Sequence, residues 1–153
     1  MVDPRYNVEP AAPADLALVR ALLAEARLPF DDLEQASDLT FWVARNRSGS
    51  PVAAVGLERY GQTGLLRSLV VVPAERGQRL GHTLVGALEA QASAAGITQL
   101  VLLTETAESF FSRLGYAAID RDRAPSAVAS SAEFRTLCPA TAVCMTKLLS
   151  AAH

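Results

Sequence analysis

Cysteine is nearly absent from this chain: Cys138 and Cys144 are the two among 153 residues. They are too few for the disulfide framework of a small secreted domain, and a chain this long does not need one. A reducing cytoplasm is the expected setting. Histidine is as scarce, and His82 and His153 have no second ligand-type side chain close by in sequence, so no metal site is expected. Positive charge is not in surplus either: 14 Lys and Arg against 16 Asp and Glu leave a net charge of −2. That is the wrong balance for a protein that neutralises phosphate backbones, which argues against nucleic acid as a partner, tRNA included. No apolar run approaches the ~20 residues that span a bilayer, so no membrane partner is expected. Met1 to Ala12 carries no basic-then-apolar leader. What remains in quantity is apolar side chain, half of all residues, enough to bury one substantial core in a single domain over residues 1–153.

The apolar residues are patterned. Arg5 to Pro10 reads as an edge strand, and from Pro13 the residues Leu16, Val19, Leu22 and Leu23 fall at helical spacing, ending before Pro29. Asp31 to Ser37 reads as a short helix or loop. Leu39 to Arg47 and Val52 to Tyr60 alternate like strands, separated by Ser48-Gly49-Ser50-Pro51. Gly61-Gln62-Thr63-Gly64 turns the chain into Leu65 to Val72, which is almost wholly apolar and so expected at the centre of a sheet. Leu84, Val85, Leu88 and Ala92 form one face of a helix from Gly81 to Ala94, closed by Gly96. Gln99 to Thr104 is then a buried strand, Ala107 to Leu114 a short helix capped by Gly115, and Tyr116 to Asp120 another strand. Arg121 to Pro139 reads as irregular, and Ala142 to Leu149 as a last strand. The class is α/β, a mixed sheet flanked by helices.

The most informative stretch runs from Leu69 to His82. It joins a central strand, through a glycine-bearing turn, to a helix that is followed by another buried strand. This βαβ order puts the turn at the carboxyl end of a parallel strand, where open α/β sheets bind ligands. The first amides of the helix have no partner within it, so the turn can hold an anion such as phosphate. An ordinary strand-to-helix turn has the same spacing.

Arg76-Gly77-Gln78-Arg79-Leu80-Gly81, together with Phe110-Phe111 and Leu114-Gly115-Tyr116 beyond the next strand, resembles the GNAT superfamily of acetyl-CoA-dependent N-acetyltransferases. Its donor turn reads roughly Arg/Gln-x-x-Gly-x-Gly/Ala, and Arg79 stands where the middle glycine would be. The resemblance implies a splayed sheet in which backbone groups of Leu69, Val70 and Val71 hold the pantetheine arm. Arg76, Gly77, Gln78, Arg79, Leu80, Gly81 and the His82 backbone would meet the pyrophosphate side of acetyl-CoA, with Phe111 beside the donor. The side chain of Arg79 either bonds a phosphate or lies in solvent. The second half, with Leu102-Leu103-Thr104, Ala107, Arg121, Pro125, Glu133-Phe134, Leu137-Cys138-Pro139 and Met145-x-Lys147, is similar to the small arsenic-resistance N-acetyltransferases. It is also similar to the acetyltransferase domain of N-acetylglutamate synthases. Both imply acetylation of the amine of a small acidic amino acid or an arsenical or phosphinic analogue.

Attack of a neutral amine on a thioester needs a route for the ammonium proton and donors for the developing oxyanion. Relatives often place a tyrosine acid where this chain has Phe111, and a glutamate base where it has Leu65. Glu58 is then the nearest base, directly or through water, and a backbone donor near Val70 the oxyanion partner; the thiolate can leave unassisted. For an acidic acceptor, Arg67 is the leading cation. It either grips a carboxylate in a cavity or pairs with Glu58. Arg121, Thr104 and Ser68 are further acceptor-side candidates, although strand alternation would turn Ser68 away from Arg67. Cys144 reads as core and Cys138 as part of the acceptor loop. Exchange of the final strand would give a homodimer. The rival reading is a degenerate acyl-CoA-binding sensor or interaction module, motivated by Phe111, Leu65 and Arg79.

Overall fold

Apolar segments that alternate or run unbroken between turn residues become the seven strands of one sheet in a computed structural model, which describes residues 6–27, 39–76, 79–129, 131, 134 and 141–149. The strands are β1 (Asn7–Pro10), β2 (Leu39–Arg45), β3 (Pro51–Tyr60), β4 (Thr63–Val71), β5 (Gln99–Thr104), β6 (Ala117–Ile119) and β7 (Val143–Leu148). They lie in the order β1-β2-β3-β4-β5-β7-β6. The helices are α1 (Leu16–Glu25), α2 (Leu80–Ala94), α3 (Glu108–Arg113) and the short α4 (Ser126–Ala129). β2, β3 and β4 form the expected antiparallel meander. β4 sits fourth of seven, as its apolar character requires. β4 and β5 are parallel, so the β4-α2-β5 crossover is real.

One face of the sheet is covered by α2, whose Leu80, Leu84, Val85, Leu88 and Ala92 pack with Leu66, Leu100, Leu102 and Met145. Each of the buried Leu, Val and Met side chains contributes about 1.5–3 kcal/mol, which makes this face the main source of stability. The other face is covered in two pieces. α1 sets Val19 and Leu23 on Phe41, Val43, Ala54 and Val70. Val128 of α4 and Phe134 lie over Leu65, Val101 and Cys144. α1 is pinned at its start by a charge clamp: Arg45 of β2 donates to both oxygens of Asp15, at 3.1 and 2.6 Å, and also pairs with Glu9 of β1. The bond from Arg45, helped by the Ala12 amide at 2.7 Å, holds the Asp15 carboxyl below its ordinary value.

Several boundaries differ from the sequence reading. β2 ends at Arg45, because the Asn46 side chain accepts the amides of Ser48 and Ser50 and so starts the turn early. β4 begins at Thr63, which leaves Gly61 and Gln62 as the turn proper. The last short strand shrinks to Ala117–Ile119. The stretch after it is not wholly irregular: its described residues hold the 3-10 turn Arg121–Arg123 and α4. β1 starts at Asn7, with Arg5 outside the described residues, as is Asp31 to Ser37. β7 lies inside the sheet, between β5 and β6 of its own chain.

Candidate active site

The parallel ladder between β4 and β5 is short. It pairs Thr63 with Gln99, Gly64 with Leu100 and Leu65 with Val101, and there it ends. β4 continues against β3 as far as Val71 opposite Ala53, and β5 continues against β7 as far as Thr104 opposite Val143. The two strands therefore part from Leu66 onward, leaving one edge of β4 without a ladder. An unladdered edge can accept an extended amide-bearing chain as an added strand. Leu69, Val70 and Val71 lie on it.

β4 also carries a bulge. Gly56 faces Arg67 and Ala54 faces Val70, so β4 spends two residues, Ser68 and Leu69, opposite the single Val55. Ser68 takes φ 63°, a left-handed conformation that costs a non-glycine residue roughly 1–2 kcal/mol. The bulge resets the alternation. Leu69 packs on the α2 side, within reach of Gly81, while Val70 joins the α1 side.

At the other end of this path α2 opens on Arg79, which also stands in the left-handed region at φ 62°. The middle glycine of the motif is thus replaced by a residue that keeps a conformation glycine adopts freely. Its side chain is exposed and does not cap the helix. Among the described residues the amides of Leu80, Gly81 and His82 have no acceptor, whereas Thr83 bonds back to the Arg79 carbonyl at 3.1 Å. Three amides and the positive end of a 15-residue helix fit the pyrophosphate of a coenzyme A thioester. Gly81 sits close under Phe110, where a Cβ would stand 3.2 Å from Cζ and the ring would have to give by a few tenths of an ångström. The Arg76 guanidinium turns back to the Val71 carbonyl at 3.2 Å, bracing the loop against β4. Gly77 and Gln78 lie outside the described residues. The His82 side chain is exposed.

Phe111 is placed differently from expectation. Its ring, 4% exposed, packs edge-on between Phe110 at 5.1 Å and Tyr116 at 5.4 Å, inside the core under α2. Its neighbour Phe110 is the one against the donor helix. Tyr116 donates to Glu89 at 2.8 Å, and Glu89 also holds Lys147 at 3.0 Å, so this part of the motif ties α2 to β7. Burial, with the Glu89 bond behind it, pushes the Tyr116 hydroxyl well above its ordinary pKa.

On the opposite face, beside the splay, lies a buried polar chain. Tyr60 donates to Oε2 of Glu58 at 2.7 Å, and Nη1 of Arg67 donates to Oε1 of Glu58 at 3.2 Å. Nε of Arg67 donates to Oγ of Ser68 at 3.2 Å. The Arg67 side chain is 0% exposed and that of Glu58 10%. Of the two arrangements open to Arg67, the pair with Glu58 is the one formed. The expectation that Ser68 turns away from Arg67 is corrected, because the bulge brings its hydroxyl back. Burial and the Glu58 carboxylate push Tyr60 above its ordinary pKa, with Ser131 hydrogen-bonded to it. Thr104 is half-buried at the mouth, its hydroxyl accepting the Ala107 amide at 3.0 Å ahead of α3. Arg121 is half-buried over the Phe134 ring at 6.0 Å and close enough to Cys144 to act on it electrostatically. Cys144 is a buried core thiol whose pKa burial raises; Cys138 lies outside the described residues. Tyr60 was missed in the sequence, although its position two residues after Glu58 on a strand puts both on one face.

An open strand edge running into unpaired helix amides suits an extended ligand that carries amides along its length and an anion at one end, as the acyl donor of an acetyltransferase does. The chain belongs to the GNAT acetyltransferase domain family, whose model matches residues 37–118, more than half of its length. It is an acetyl-CoA-dependent N-acetyltransferase, and no group of His, Cys, Asp or Glu that could hold a metal occurs among the described residues. Solved structures agree on the fold. The N-acetylglutamate synthase of Neisseria gonorrhoeae, complexed with coenzyme A and N-acetyl-glutamate, superposes with a TM-score of 0.80 at 18% identity. That match covers 97% of this chain but 36% of the synthase, so this chain spans about a third of that protein's length. A GNAT-family acetyltransferase of Staphylococcus aureus gives 0.77 at 18% identity, over 95% of this chain and 99% of that one. Rv2747 of Mycobacterium tuberculosis, in complex with CoA and NLQ, gives 0.76 at 23% identity, over 94% and 99%. No curated protein matches the chain.

Proposed function

We propose that this enzyme acetylates the amine of a small acidic amino acid or a close analogue, the arsenical and phosphinic analogues of glutamate included. The observation that carries the reading is the charge of the face beside the splay. Among the described residues, Arg121 lies half-buried over Phe134 on the face where Arg67 pairs with Glu58. A guanidinium at a partly buried face suits an acceptor that brings a carboxylate, which it can grip at two points. Arg121, half-buried, is the cation that meets the acceptor carboxylate, and Arg67, held within, acts by its charge. Thr104 at the mouth offers a hydroxyl. The gonococcal synthase solved with N-acetyl-glutamate supports the same class of product.

In this reading the acceptor nitrogen attacks the thioester carbon of acetyl-CoA laid along β4. The C–N bond forms, the C–S bond breaks, and negative charge growing on the thioester oxygen is met by the backbone N–H of Val70. Both Glu58 oxygens already accept bonds, from Arg67 and from Tyr60, so Glu58 takes the amine proton through a water rather than by direct contact. The departing sulfur needs no acid, because a thiol is acidic enough to leave as the thiolate near neutral pH. That agrees with a Phe at position 111. Most of the acceleration then comes from holding amine and thioester in line.

A buried free thiol at Cys144 suits a reducing cytoplasm. A homodimer built by exchange of β7 remains part of the reading; light scattering that gives the monomer mass would remove it. The decisive test is thiol release from acetyl-CoA across glutamate, its arsenical and phosphinic analogues, neutral amino acids, polyamines and aminoglycosides. Turnover is expected with the acidic amino acids, and Arg121→Ala should raise the acceptor KM about tenfold with the acetyl-CoA KM unchanged. Turnover confined to polyamines or aminoglycosides would refute the acceptor class.

A further inference from the structure

The bulge in β4 and the buried polar chain beside it meet at one residue. Ser68 is the residue in the left-handed conformation, and its hydroxyl is the terminus of the chain that runs Tyr60, Glu58, Arg67, Ser68. A serine is held in that region only when its surroundings fix it there. Arg67 does so: its Nε fixes the Ser68 hydroxyl at 3.2 Å, and its own position is fixed by Glu58 at 3.2 Å on a carboxylate that Tyr60 holds from the other side.

We propose that Arg67 is a positioning residue for the acyl donor: through Ser68 it locks the β4 bulge that aims Leu69 and Val70 at the acetyl-CoA path. Three observations join to give this. The bulge lies directly before the donor-facing residues, beyond the point where the β4–β5 ladder ends. It decides which side each of them takes, sending Leu69 toward Gly81 at the start of α2 and Val70 toward α1. And the Arg67 side chain, 0% exposed, is turned to Glu58 and Ser68 rather than to the surface. Without the bulge, strict alternation would exchange the faces of Leu69 and Val70 and swing their backbone groups with them. The inference depends on the acetyl-CoA site alone and not on the acidic acceptor, so each can fail separately.

The test separates the lock from the charge. Glu58→Gln with Arg67→Met removes both charges together, which avoids leaving a buried ion alone. Coenzyme A binding by this double variant, measured by titration calorimetry well below its unfolding temperature, is expected to weaken about tenfold, equal to about 1.4 kcal/mol. Adding Ser68→Gly should then restore most of the affinity, because glycine adopts the left-handed conformation unaided. Restoration by a residue that carries no side chain is not expected of an arginine that merely fills the core or contacts acceptor. Arg67→Lys, which lacks the Nε donor beside Ser68, should behave like the charge-free variant in coenzyme A affinity. Coenzyme A affinity within twofold of wild type in the double variant, or no recovery on adding Ser68→Gly, would overturn the proposal.

Discussion

Changing Glu58→Gln alters one oxygen for one nitrogen, keeps the volume and removes a single charge, which makes it a sharp probe of the buried pair. The partners are 3.2 Å apart, and their side chains are 0% and 10% exposed. At an effective dielectric constant near 20, unit charges at that distance attract by about 5 kcal/mol. Measured losses on breaking buried pairs run to about 3–5 kcal/mol, because the remaining ion stays uncompensated. Against a total stability of about 5–15 kcal/mol for a domain, that is a large fraction. Trp42, the one tryptophan of the chain and 7% exposed, reports unfolding by its fluorescence. With a urea dependence near 2 kcal/mol per molar, the midpoint should fall by about 1.5–2.5 M in Glu58→Gln at unchanged slope. Arg67→Met should cost less, since a lone carboxylate can escape by taking up a proton and a guanidinium cannot shed one. The double variant should return to within about 1 kcal/mol of wild type, giving a coupling energy of about 2 kcal/mol or more in a double-mutant cycle. A midpoint shift below about 0.3 M in Glu58→Gln, or strictly additive losses in the double variant, would refute the reasoning.

Two further outcomes follow from strained and paired groups elsewhere. Arg79→Gly relieves a left-handed arginine of roughly 1–2 kcal/mol of strain and pays about 0.5–1 kcal/mol in chain entropy, so its urea midpoint should equal or slightly exceed that of wild type. Its affinity for coenzyme A in the same titration should stay within about threefold, equal to about 0.65 kcal/mol; a tenfold loss would mean that the guanidinium itself bonds phosphate. The Arg45 bond lowers the Asp15 carboxyl in the fold, so its stabilisation is present above the ordinary value of 3.8 and is lost as pH falls through the lower folded value. Urea midpoints measured between about pH 2 and 6 should therefore drop at the acid end, and Asp15→Asn should flatten that drop. An identical acid slope in the Asn variant would assign the loss to other groups.

The strand, turn and helix start proposed to hold the donor were legible in the sequence because they depend on local features. A strand, a turn and a helix that are contiguous in the chain bring Leu69 through His82 together by themselves, and unsatisfied amides belong to any helix start. Even there the glycine-to-arginine change at position 79 looked like a departure, while the backbone kept the conformation that glycine would have taken. Phe111 shows the limit of reading by resemblance: the family pattern implied a place beside the donor, but packing against Phe110 and Tyr116 holds its ring in the core. The proposed acceptor side joins Glu58 and Tyr60 of β3 to Arg67 of β4 and to Ser131, far along the chain. Charge alone left Arg67 with two arrangements, and only register chose between them.

By itself the sequence determined most of the strands and helices, their order, the central place of β4 and a turn before α2 able to hold an anion. Periodicity, glycine placement and helix-start chemistry act over a few residues and are written directly in the chain. The tertiary structure decided where β4 and β5 part, that β4 spends an extra residue at Ser68, and that Arg67 turns to Glu58. Those depend on how strands distant in sequence pair. A one-residue shift in register moves every following side chain to the other face, and no local pattern records it.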